Sequence, residues 1–103
     1  MRAFHYTAMT SDETVKLISP NVLIRYNYTD AASLIIYVKG GITPASMTEI
    51  IDDQSSQVTR YTATGTGTYQ INMAGLTPGT LIGVATASGT GTVTMDVLTG
   101  TEA

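Results

Sequence analysis

Cysteine and tryptophan are missing from this 103-residue chain, and histidine occurs once, as His5. Without cysteine there is neither a disulfide framework nor a thiolate metal site. One imidazole rules out a metal centre built on two histidines of a single chain. Charge is sparse too: five Lys and Arg stand against eight Asp and Glu, 13% of the residues, for a net charge of −3. The basic residues Arg2, Lys16, Arg25, Lys39 and Arg60 are scattered. A nucleic-acid partner calls for a clustered positive face, so none is expected. No apolar run approaches the roughly 20 residues of a membrane span, so no membrane partner is expected either. The opening "MRAFHYTAMTSDE" has no continuous apolar core or small-residue cleavage site of a secretory leader. The expectation is synthesis and folding in a cytosol.

What is present is a globular composition, 43% hydrophobic with a mean hydropathy of +0.14. Its length fits one domain, 1–103, able to bury roughly 65% of its unfolded surface. Period-two patterns dominate. In "VLIRYNY", Val22, Ile24, Tyr26 and Tyr28 share one face, and in "SLIIYVKGG" Leu34, Ile36 and Val38 point inward. "QVTRYTA", "YQINM", "LIGVATA" and "VTMDV" follow, with "RAFHYTA" and "VKLIS" before them. β-branched and aromatic residues fill these runs, as strands prefer. Eight such segments without crossover helices predict an all-β fold, an antiparallel β-sandwich or jelly-roll-like barrel. One segment departs from the pattern: "TPASMTEIIDD" offers Thr43 as N-cap, Pro44 at the first helical position, and Met47, Ile50 and Ile51 at helical spacing. It predicts at most one short helix near 44–52.

Two stretches are nearly identical, "TATGTGT" from Thr62 and "TASGTGT" from Thr86, starting 86 − 62 = 24 residues apart. A phosphate-binding loop would need a following helix and a Lys-Ser/Thr pair, and neither follows. Each glycine pair sits between two strand patterns. The reading is therefore two related hairpins, with Gly65, Gly67, Gly89 and Gly91 in turns. Between them, Leu76-Thr77-Pro78-Gly79-Thr80 resembles the L-x-P-G-T corner of fibronectin type III domains. Ile82 stands where that family has tyrosine, and the family's early tryptophan has no counterpart. The likeness is one of turn chemistry at Pro78 and Gly79.

Catalytic groups are not assembled by any motif. "FHY" reads as a strand around His5, and no Gly-x-Ser-x-Gly elbow accompanies it. Glu49 with Asp52-Asp53 lacks the interlaced Asp-x-Asp-x-Asp pattern of a calcium loop and reads as a solvated acidic turn. No enzyme activity, metal or cofactor is expected. Six tyrosines remain, and Tyr37 and Tyr61 fall opposite the most apolar faces of their strands, as candidate exposed contacts. They leave open a glycan-binding or adhesin-like module.

In size, Thr/Gly/Ala-rich composition and strand-rich layout, the whole chain resembles the small capsid decoration, or cement, proteins of tailed bacteriophages. That resemblance implies a virion structural protein on the capsid surface, made in the host cytoplasm. Its partners would be the major capsid protein and copies of itself, as dimers or trimers. Under that expectation Arg2, Phe4 and Tyr6, alternating on one face of the first strand, are candidate capsid contacts. The alternative is that Phe4 and Tyr6 complete the domain's own core.

Overall fold

Twenty consecutive residues, Val22–Gly41, form one strand, β3, around which the rest of the chain is arranged. The computed structural model describes residues 2–52 and 57–101, with side chains over 5–50 and 59–99. In chain order the other strands are β1 (Arg2–Met9), β2 (Val15–Lys16), β4 (Thr48–Glu49), β5 (Ile51–Asp52), β6 (Gln57–Val58), β7 (Tyr61–Met73), β8 (Leu81–Thr86) and β9 (Thr90–Thr101). Seven of them make one antiparallel sheet, while β5 and β6 pair separately. The fold is all-β.

Along one edge of β3 lies β7, running from Tyr61 opposite Ile36 to Met73 opposite Val22. Along the other edge lie β8 and β9 in succession, with Leu81 opposite Gly41 and Thr99 opposite Val22. The gap between them is bridged: the Ala87 N–H donates to the Ile35 carbonyl and the Ile35 N–H to Ser88, both at 2.9 Å. β1 extends the sheet beyond β9, and β2 extends it beyond β8. Where β7 leaves β3, the buried Thr59 hydroxyl accepts the Val38 N–H at 3.0 Å and the Ile50 N–H donates to the Val38 carbonyl at 2.9 Å. β4 then takes over at Lys39 and Gly40.

The middle of β3, "TDAAS", breaks the ladder twice. Its residues Tyr28, Ala31 and Leu34 face Gly67, Gly65 and Ala63, so β3 advances three residues for every two of β7. These are two bulges, each bending the strand and increasing its twist. Asp30 and Ser33 take positive φ there, 51° and 50°. All three inward residues, Tyr28, Ala31 and Leu34, stay buried. Two one-residue insertions restore the original parity, so the core face runs unbroken from Val22 to Val38.

Both glycine repeats flank this double bulge, one on each neighbour of β3. Gly65 has φ 78°, Gly89 94° and Gly91 126°. A Cβ on Gly91 would lie 2.7 Å from the Ala31 Cα, and one on Gly89 would meet the Ser33 carbonyl and lie 2.6 Å from the Leu34 Cα. The threonine between the first pair has its own part: Thr66 Oγ1 accepts the Asp30 N–H at 3.1 Å. Together the three strands fold over at this elbow. Tyr61 and Tyr69 are 69 − 61 = 8 residues apart on β7, about 26 Å in a straight strand. Their rings nevertheless stack at 3.9 Å, only 7° from parallel. The two halves of the sheet close on a single core, with Ile24, Tyr26, Ile36, Ile82 and Met95 wholly buried inside it. Tyr26 latches the halves, its hydroxyl donating to the Thr59 carbonyl at 2.8 Å. Burial pushes that hydroxyl's pKa up, with the Thr59 bond acting the other way.

Several expectations are corrected by this arrangement. Gly65 and Gly67 are not in a hairpin turn, since β7 passes through both as one strand. Gly89 and Gly91 do not reverse the chain either, because β8 and β9 follow the same edge of β3. The glycines are required by bent strands in close contact rather than by turns. "VLIRYNY" and "SLIIYVKGG" are one strand, and so are the ends of "QVTRYTA" and "YQINM". The helix reduces to one 3-10 turn, Pro44–Ser46. Thr48, Glu49 and Ile50 serve the open β3 edge instead, the Ile50 side chain lying over Gly40. Pro78 and Gly79 occupy a turn in which the Thr80 N–H donates to the Thr77 carbonyl at 3.1 Å and Gly79 has φ 98°. That is the type II pattern of Pro followed by a positive-φ glycine.

The elbow sets an order of mutational costs. Gly65, with open space around it, should cost about 1 kcal/mol on Gly65→Ala, from backbone strain alone. Gly89→Ala and Gly91→Ala add overpacking against β3 and should cost about 3 kcal/mol or more. Urea unfolding of the three variants measures this, and equal small losses would contradict the close approach.

Candidate functional site

The sheet half below the elbow carries the surfaces available for binding. Its strand order is β1, β9, β3, β7, and among the described residues no strand pairs with the far edge of β1 or of β7. On its outward face lies a shallow depression bordered by His5, Thr7, Leu23, Arg25, Gln70 and Leu98. Asp96 sits in it. Arg25 Nη2 donates to Asp96 Oδ2 at 2.7 Å and Nε at 3.2 Å. Asp96 Oδ1 accepts the Ala8 N–H at 2.9 Å. Ala8 has φ 53° in a bulge of β1, between Tyr6 and Met9. The carboxylate thus pairs an N–H that the bulge removes from the ladder. Burial alone would raise the Asp96 pKa, but the Ala8 N–H, Arg25 and Asn27 more than offset it and hold it below its ordinary value.

Of the first-strand residues, Tyr6 is partly exposed, at 37%, and opposite the buried Val97. Phe4 is opposite Thr99 and Arg2 opposite Thr101. The side chains of Arg2 and Phe4 lie outside the described residues. The Tyr6 position falls on the core-facing side at the rim of an edge strand.

Tyr61 is not an outward contact. It shares the inward face of β7 with Ala63, is half-buried against the core, and its hydroxyl lies 3.4 Å from that of Tyr28. β7 had to fold over for this to happen, and its alternation alone could not reveal it. Gly67 leaves room for the Tyr28 ring, since a Cβ there would lie 3.2 Å from the Tyr28 hydroxyl. Tyr69 completes the cluster and is 41% exposed. Tyr37 does point outward but is half-buried, with the Arg60 guanidinium 5.8 Å from its ring centre. Arg60 also grips Glu49, with Nη2 to Oε1 at 2.5 Å and Nε to Oε2 at 3.1 Å. That bond holds the Glu49 pKa below its ordinary value. Glu49 is therefore engaged by Arg60, and Asp53 lies outside the described residues. Among the described residues no three His, Asp or Glu side chains gather around a possible metal ion.

One feature escaped sequence reading. The outward positions of β7 are Thr62, Thr64, Thr66, Thr68, Gln70 and Asn72, all exposed. Strict alternation of uncharged polar residues was the available signal, obscured by taking the glycines as a turn. No family model, curated protein or solved structure matches the chain.

Asp96 makes stability depend on acid. Its folded pKa is depressed below the unfolded value of about 3.9, so its contribution is full above that pH and is lost as pH falls through the folded value. Asp96→Asn should melt lower than the parent at pH 7, with the difference shrinking towards pH 2. Thermal melts across that range test this, and a constant difference would contradict the pairing.

Proposed function

We propose that this chain is a structural protein of a virus particle, a bacteriophage capsid decoration protein that binds the outer surface of the assembled shell and stabilises it. It would be made in the host cytoplasm, occupy the capsid surface, and act by binding energy alone. The observation that carries this reading is the pair of unpaired strand edges, β1 and β7, on one half of the sheet. Edge strands are templates for pairing with other chains and are normally blunted by charge, proline or covering segments. β7 carries neither charge nor proline along its length, and among the described residues no strand pairs with its far edge. Added strands supply backbone hydrogen bonds, with side-chain pockets giving selectivity. Copies repeated over a symmetric shell multiply modest contacts.

The glycan-binding alternative has less support. One face of the Tyr69 ring is taken by Tyr61, and Tyr37 is partly covered by Arg60. Three of the five basic side chains are also engaged: Arg25 with Asp96, Arg60 with Glu49, and Lys39 with the Ser11 carbonyl at 2.9 Å. Shell binding should therefore be mostly apolar and hydrogen-bonded, and little weakened by moderate salt.

A ligand that binds only the assembled state stabilises it by about 2.7 kcal/mol per site at a hundredfold excess over Kd. Candidate capsids mixed with the protein should show ordered symmetric density by electron microscopy and break at a higher temperature. Removing residues 1–6 should reduce attachment more than folding. Shells that break at the same temperature with and without the protein would contradict the reading and favour the glycan-binding one.

A further inference from the structure

We infer that the far edge of β7 is a self-association edge, on which a second copy of this chain pairs antiparallel and joins two half-sheets into one. The inference uses one of the two edges on which the capsid reading rests, but it concerns the free protein and leaves β1 as the edge for the shell.

The sequence of β7, "YTATGTGTYQINM", contains no Lys, Arg, Asp, Glu or Pro in 13 residues. Charge enters the other strands of eight residues or more: Arg25, Asp30 and Lys39 in β3, Arg2 in β1, and Asp96 in β9. A two-fold interface sets residue i against residue j and j against i, so a charge on the axis faces a like charge and any other must find its complement on the same edge. An edge free of charge can pair with itself without any like-charge contact, whereas a partner of opposite charge would be recognised by charged residues. The occupant this edge fits is therefore another β7.

The elbow fixes where the pairing can occur. Below it, Gly67–Met73 lies opposite Tyr28–Val22 of β3 without a register shift, and the midpoint of that straight segment is Gln70. A two-fold axis there sets Gln70 against Gln70, Thr68 against Asn72, and Tyr69 against Ile71. The first two pairs are amides and hydroxyls able to hydrogen-bond across the outward face. The third covers Tyr69, which is 41% exposed, with a β-branched side chain on the inner face. The result is a sheet ordered β1-β9-β3-β7-β7-β3-β9-β1. Seven residues per copy bury less than the ~800 Å² per partner of a standard interface, so the dimer is reversible on dilution.

The chain lacks cysteine, which makes crosslinking clean. Under mild oxidation Gln70→Cys should form a disulfide-linked dimer, since directly opposed antiparallel residues approach within disulfide range. Thr62→Cys, above the elbow on the same edge, should not. In sedimentation equilibrium the unmodified protein should pass from 10.8 kDa towards twice that mass with rising concentration. The double variant Thr68→Lys/Asn72→Lys should stay monomeric, and Thr68→Lys/Asn72→Glu should dimerise again. Circular dichroism melts report folding of each variant, and the unmodified protein alone decides the dimer. A mass that stays at the monomer value to about 1 mM, well beyond typical weak affinities, would overturn the inference and leave the edge to a different protein. Equal crosslinking of the Gln70 and Thr62 variants would overturn the register.

Discussion

The structure depends on one backbone constraint: a long central strand that must bend sharply without losing either neighbour. β3 does so with two bulges centred on Asp30 and Ser33, where φ is positive without glycine. Its neighbours follow only because each carries glycine at the same level, Gly65 and Gly67 on one side, Gly89 and Gly91 on the other. Positive φ is cheap for glycine alone. Contact is the second demand, since Gly89 and Gly91 lie directly against the β3 backbone. The repeated "GTG" is thus one mechanical solution used twice, because both strands run antiparallel to β3 past the same bend.

Everything that gives the protein a core or a surface follows from this fold-over. A flat sheet of these strands would leave its apolar face in water. Bent, it closes that face on itself, stacks Tyr61 on Tyr69, and brings the Tyr26 hydroxyl to Thr59. The closure consumes the inward faces but leaves edges. β1 is interrupted by its bulge at Ala8, whose N–H is turned to Asp96. β7 stays uncharged throughout, so its free edge lacks the charges that usually discourage strand pairing.

Much of the fold was legible in the sequence. Alternation placed Val22, Ile24, Tyr26, Tyr28, Leu34, Ile36 and Val38 inward, and all are buried. This worked across the bulges because two insertions cancel in parity. What alternation cannot carry is continuity. Glycine pairs and a "TDAAS" segment look like turns locally, and only the pairing partner shows that they are bends within strands. The helical spacing of Met47 and Ile50 lost to an open edge of β3 needing hydrogen-bond partners. Tyr61 was misplaced for a related reason: its surroundings depend on Tyr69, brought over it by the elbow. The Asp96 site was invisible because it joins a bulge in β1 to residues of β3 and β9, distant in sequence.

The fold-over is most directly tested by NMR contacts within β7 itself. Tyr61 and Tyr69 rings, eight positions apart on one strand, should give strong mutual ring–ring cross-peaks, alongside a weaker contact from Tyr61 to Tyr28. Two tyrosines at that separation in a straight strand, about 26 Å apart, give none. Their absence, with intact β3–β7 backbone cross-peaks from Val22 to Ile36, would mean that the sheet does not close at the glycines and the account is wrong.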